Sequence, residues 1–235
     1  MFFFDPLYFV FALPALLLAM WAQFRVQSAY RKWSQVPNAR GLNGFDVART
    51  LMQNENLSHV QVERIDGMLT DHYDPRGAVM RLSEGSLQPS VAAMAIVAHE
   101  LGHAAQDQEG YFWLRARAGI VGIANIGSSL GTILFFIGLM LTAFASGTFG
   151  YTIATVGLIL FSAAVAFTLV TLPVEFNASA RARQMLQRNG LVTAQEMNGV
   201  NAVLNAAALT YVAAAAQAIA QLLYFATLLA GRRED

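Results

Sequence analysis

Three long stretches of the chain contain no Asp, Glu, Lys or Arg: residues 6–24, 118–174 and 197–231. A helix needs roughly 20 apolar residues to cross the hydrocarbon core of a bilayer. The first stretch fits one crossing, over 7–24, with Pro14 near its middle. The second is 57 residues long and breaks at Ala145-Ser146-Gly147-Thr148-Phe149-Gly150, so it divides into crossings at 118–144 and 151–172. The third can hold one more hydrophobic helix, over 206–230. This pattern predicts a mainly α integral membrane protein with about four hydrophobic helices.

The charged residues concentrate between and beyond these stretches, and there the periodicity changes. Phe45, Ala48, Leu51 and Met52 recur at helical spacing, which predicts a helix over Gly44–Asn54. Residues 60–70 tend toward a strand, and 78–83 read as a short strand. Between them, Asp74-Pro75-Arg76-Gly77 has proline second and glycine fourth, the composition of a tight turn. A small β-hairpin over 66–83 is expected, followed by a helix at 90–108. Pro173 ends the third crossing and starts a new helix over 174–188, since proline fits a first turn. Thr193 and Glu196 form a capping box for a last helix that runs into 206–230. Asn198, Asn201 and Asn205 line one face of that helix, as a polar packing stripe.

Charge sets the orientation. Arg25, Arg31, Lys32, Arg40, Arg115, Arg117, Arg181, Arg183 and Arg188 flank one set of span ends, whereas 1–5 and 145–150 carry no basic residue. Basic residues stay on the cytoplasmic side. The chain should therefore be a multi-pass protein of the inner (plasma) membrane whose polar part faces the cytoplasm. The N-terminal stretch lacks a basic leader and reads as an anchor, not a cleaved signal. Formal net charge is zero, so no basic nucleic-acid surface is indicated. The absence of cysteine excludes disulfides and thiolate metal ligands.

One polar cluster stands inside an apolar run. In Val97-Ala98-His99-Glu100-Leu101-Gly102-His103-Ala104-Ala105-Gln106, two of the chain's 4 histidines are four apart, on one face of a helix. Glu100 lies beside them, about 100° round. This is the H-E-x-x-H pattern, in which two imidazoles bind Zn²⁺ and the glutamate activates its water. The apolar run 91–105 is short for a crossing, which argues against a motif buried in the bilayer.

A catalytic zinc of this type takes a third protein ligand and leaves one position open. His59, His72 and Asp107 are available, but Glu175 is preferred. Two crossings in succession return the chain at 173 to the side it left near 118, next to the end of the motif helix. Ser179, one turn after Glu175, could bond the second nitrogen of a histidine. The oxyanion stabiliser is open, with His72, Tyr73, Arg181 and Arg183 as candidates.

The segments Asp71-His72-Tyr73-Asp74-Pro75, 98–106 and 172–182 together resemble the YugP-like membrane zinc metallopeptidases over nearly the whole chain. That resemblance implies a gluzincin-type site: His99, His103 and Glu175 as metal ligands, Glu100 as catalytic glutamate, and one Zn²⁺ per chain. A more distant similarity to HtpX-type proteases would place an aspartate where Ser179 stands. The expected organisation is an anchor at 1–24, a cytosolic catalytic region at 25–117, a transmembrane hairpin at 118–172, cytosolic helices at 173–205, and a hydrophobic helix and tail at 206–235. The expected activity is zinc-dependent endopeptidase cleavage of peptide or membrane-protein substrates at the bilayer's cytoplasmic surface. The alternative is a non-enzymatic membrane scaffold or metal-handling protein with a structural zinc.

Overall fold

A computed structural model describes residues 6–144 and 148–231. Six α-helices and three short strands follow in the order α1 (Pro6–Ser34), α2 (Gly44–Asn54), β1 (Gln61–Arg64), β2 (His72–Asp74), β3 (Val79–Leu82), α3 (Val91–Gln108), α4 (Phe112–Phe144), α5 (Thr148–Arg188) and α6 (Ala194–Ala230). Helices α1, α4, α5 and α6 are each long and apolar enough to cross a membrane. The chain is a mainly α membrane protein with a small three-stranded sheet.

The helices outrun the apolar stretches that predict them. α1 continues past residue 24 to Ser34. α5 corrects the expected break at Pro173: it runs unbroken over 41 residues with that proline inside. Proline costs a helix one N–H donor. In an apolar setting the remaining backbone groups are still best satisfied by staying helical. Of the expected interruption at 145–150, residues 145–147 lie outside the described residues; α5 has already begun at Thr148.

Two compact units emerge. One comprises the described parts of 1–21, 115–172 and 211–235. Its centre is Phe135 of α4, stacked on Phe225 of α6 with ring centroids 4.2 Å apart, beside Leu139, Ala154 and Leu229. α4 and α5 approach closely through facing glycines. A Cβ on Gly131 would lie 2.9 Å from the carbonyl oxygen of Gly157, and one on Gly157 would lie 2.7 Å from that of Gly131. Small residues let membrane helices pack where the hydrophobic effect offers no gain.

The other unit comprises 22–114 and 173–210. Its core gathers Leu51 of α2, Met80 and Leu82 of β3, Met94, Val97 and Leu101 of α3, Leu186 of α5 and Val200 and Leu204 of α6. α2 opens with a capping box between Asn43 and Asp46. Ser90 caps α3 by accepting the amide of Ala93 at 3.1 Å. α3 is buried on nearly all sides by protein. That burial accounts for an apolar character too complete for a half-exposed helix. Thr193 and Glu196 cap α6 reciprocally, at 2.7 and 3.2 Å.

The sheet order is β1-β3-β2, with β1 parallel and β2 antiparallel to β3. This corrects the expected hairpin in two respects. The antiparallel pair starts at His72 and not at 66, because 65–71 form a loop in which Gly67 and Leu69 take positive φ. The 78–83 strand is central, so both its edges are already paired; the free edges belong to β1 and β2.

Gly157→Leu should lower the thermal unfolding midpoint of the full chain in detergent, by an overpacking penalty of about 1–3 kcal/mol. Gly122→Leu, where a Cβ meets nothing within 4 Å, should leave it nearly unchanged. Equal effects of the two would exclude a specific α4–α5 contact at Gly157.

Candidate metal centre

The site grows from two helices. α3 presents His99 and His103 one turn apart, with ring centroids 4.8 Å from each other and planes at 84°. The last four turns of α5 present Glu175 and, one turn on, Ser179. The two helices come together because residue 102 is glycine: a Cβ there would stand 2.5 Å from the carbonyl oxygen of Ala178. Any larger residue would push α5, and Glu175 with it, away from the histidines.

The resulting spacing suits a metal better than a hydrogen bond. Glu175 Oε2 lies 3.3 Å from His99 Nε2 and 3.5 Å from His103 Nε2. A charge-assisted N–H···O bond is shorter, about 2.7–2.9 Å. Ligands about 2.0–2.1 Å from a tetrahedral zinc stand roughly 3.3 Å from one another. Among the described residues, His99, His103 and Glu175 form the group of candidate ligands whose donor atoms all lie within 4.8 Å. The donors, two imidazoles and one carboxylate, are of the kind that leaves zinc one open position.

The outer nitrogens are oriented by neighbours. His103 Nδ1 lies 3.0 Å from Gln106 Oε1. Gln106 is fully buried, and its Nε2 donates to the carbonyl of Val174 at 2.8 Å and to Asn177 Oδ1 at 2.9 Å. A main-chain carbonyl only accepts, so the amide can point one way. Its oxygen must then face His103, whose Nδ1 carries a proton, so that in the neutral ring the lone pair is left on Nε2, the nitrogen facing Glu175. Asn177 Oδ1 also accepts from Arg181 Nε at 2.7 Å. The Arg181 guanidinium grips both oxygens of Glu109, at 2.6 and 2.7 Å, and that pairing holds the Glu109 carboxyl below the usual carboxylate range. Ser179 Oγ lies 3.3 Å from His99 Nδ1.

Glu100 lies outside the ligand group. It is nearly buried, 9% exposed, and its Oε2 accepts the main-chain N–H of Tyr73 at 2.9 Å. The alternative ligands are engaged or apart. Asp107 accepts the phenol of Tyr73 at 2.9 Å. His72 Nδ1 contacts the carbonyl of Thr70 at 2.9 Å, and His59 is exposed. The two arginines among the oxyanion candidates are likewise engaged: Arg181 as above, and Arg183 to Asn201 and Asn205 at 2.7 and 2.6 Å. The asparagine stripe of α6 thus holds an arginine of α5.

Sequence reasoning did not find Gln106 or Asn177. Gln106 reads there as the polar boundary of an apolar run. Its one usable signal is its position three residues after His103, which puts it on the same helical face.

A family model described as "Putative neutral zinc metallopeptidase" matches residues 8–230. The chain is 43% identical over 230 residues to the "Putative membrane protease YugP" of Bacillus subtilis (strain 168), covering 97% of this chain and 99% of that protein. No solved structure matches the chain.

Gln106→Leu should weaken zinc binding about 10–100-fold, the usual effect of losing a group that orients a ligand histidine. Gly102→Val should weaken it further by displacing Glu175. Chelator competition on the purified variants measures both, and unchanged affinity in Gln106→Leu would remove that residue from the site.

Proposed function

The chain belongs to the neutral zinc metallopeptidase family, and we propose that it is a membrane-embedded, gluzincin-type endopeptidase acting at the cytoplasmic membrane surface. The observation that carries this reading is the juxtaposition of two kinds of group. Three donors, His99, His103 and Glu175, lie within 4.8 Å of one another, the carboxylate 3.3 and 3.5 Å from the two imidazoles, with a further carboxylate, Glu100, held beside them. A purely structural site has no use for that fourth group.

Zinc, when bound, supplies a Lewis acid that polarises the scissile carbonyl and brings the pKa of its water to about 7. The chain's residues do the rest. Gln106 and Ser179 keep the outer nitrogens of His103 and His99 occupied, so both inner nitrogens stay available as ligands. Glu100 accepts a proton from the attacking water and returns it to the departing amine. The near-complete burial of Glu175 limits competition by water for its carboxylate. β2 offers a place for an extended peptide. Its Tyr73 amide points out of the ladder toward Glu100, so in this antiparallel register the Tyr73 carbonyl also points outward.

Orientation follows from charge. Glu175 stands three residues past the end of the third apolar crossing, on the side where the basic residues collect. Peptides and membrane-protein segments near the inner surface are the substrate class this position serves.

Glu100→Gln should keep about one zinc per chain yet lose hydrolysis of labelled casein by at least the 100-fold expected of a general base. Glu175→Ala should lose zinc itself. Retained hydrolysis in Glu100→Gln rejects the role of the base, and undiminished zinc in Glu175→Ala rejects the third ligand.

Single cysteines test the topology, because the chain has none of its own. Thr148 and Gln88 are both exposed. An impermeant thiol reagent added to intact cells should label Thr148→Cys and spare Gln88→Cys. The opposite result would put the site outside.

A further inference from the structure

The segment Asp71-His72-Tyr73-Asp74-Pro75 contributes no metal ligand, and each of its carboxylates has a local task. Asp71 accepts the amide and hydroxyl of Ser83 at 2.8 and 2.6 Å, fastening the start of β2 to the end of β3. Asp74 accepts the amide of Arg76 at 3.0 Å and so shapes the turn. Tyr73 differs from both. It reaches α3 at two points, through its main-chain N–H to Glu100 and through its phenol to Asp107.

Those two points are related. Glu100 and Asp107 are seven residues apart, two turns along one face of α3, about 10 Å. His103 lies between them on the same face. Tyr73 therefore lies along the helix with its backbone at the base and its ring end at the next carboxylate. β2 is an edge strand three residues long. A strand so short, paired on one side, has little of its own to hold its free edge at a fixed distance from α3. The phenol–Asp107 bond supplies that hold. Burial, with the Asp107 carboxylate beside it, pushes the Tyr73 hydroxyl well above the usual phenol range. It stays a donor throughout the working pH range.

We infer that Tyr73 is a positioning residue for Glu100: its phenol, donated to Asp107, latches the free edge of β2 to α3 so that the Tyr73 amide can orient the Glu100 carboxylate. The latch rests on the peptidase reading for its catalytic consequence, but not for its existence. An amide N–H on one carboxylate oxygen leaves the other free for the proton of water. It also restrains the carboxylate from turning toward the two histidines, where it would compete with Glu175.

The test uses the zinc-loaded full chain in detergent, with Tyr73→Phe, Asp107→Ala and Asp107→Asn. Hydrogen exchange of the residue 73 amide, read by mass spectrometry, reports the latch without any assay of activity. Exchange should accelerate at least several-fold in Tyr73→Phe and Asp107→Ala. It should stay near wild type in Asp107→Asn, whose carboxamide oxygen still accepts the phenol. With labelled casein, kcat should fall about 10–100-fold in the first two variants, as for a misplaced catalytic group. KM should stay within about twofold and zinc at one per chain, and Asp107→Asn should restore kcat. An unchanged amide in Tyr73→Phe overturns the latch. A loosened amide with unchanged kcat overturns the positioning role, as does loss of zinc together with activity. Failure of Asp107→Asn to restore the amide protection and kcat also overturns the hydrogen-bonded latch. If the wild type cleaves no casein, the peptidase reading fails there, and amide exchange still decides the latch.

Discussion

Everything in the candidate centre depends on how closely α3 lies on the end of α5. The contact is set at Gly102, where the only side chain that fits against the Ala178 carbonyl is a hydrogen atom. Close approach brings the imidazoles of one helix within 3.3 and 3.5 Å of a carboxylate on the other. At a more ordinary helix separation, near 8–10 Å between axes, such short ligands would have to stretch to meet. A missing side chain thus acts as a ruler for the candidate metal site.

Close approach alone would leave polar groups buried between the helices. Gln106 resolves this with one amide that satisfies three neighbours: His103, Val174 and Asn177. Asn177 is satisfied in turn by Arg181, and Arg181 by Glu109. The network runs from a ligand histidine to the protein surface without an open bond along the way. Buried polar groups are costly when unpaired and rigid when fully paired. Here that rigidity fixes a tautomer, which makes the network part of the site and not only of its support.

The three-stranded sheet does comparable work for the proposed base, Glu100. Glu100 is reached by a strand, whereas the ligands are reached by a helix. The two functions proposed for the H-E-x-x-H segment, binding and proton transfer, would therefore rest on different elements. A change in the sheet can alter the base without touching the donors.

Some of this was legible in the residues alone. The uncharged stretches declare the membrane helices, because a bilayer tolerates few charges in any arrangement. The i,i+4 histidines with their glutamate declare the chemistry, because helical periodicity alone places them on one face. The capping box at Thr193 and Glu196 is local for the same reason. The pairing of Glu175 with the histidines could be anticipated from the count of crossings. Its distance could not, since that depends on Gly102 meeting Ala178, 76 positions away. The continuity of α5 through Pro173, the central place of β3, and the roles of Gln106, Asn177 and Tyr73 were decided by tertiary structure. Each depends on which groups are left to be satisfied once helices and strands have packed. A buried donor takes its partner from whatever element lies opposite, and periodicity along one segment carries no information about that neighbour.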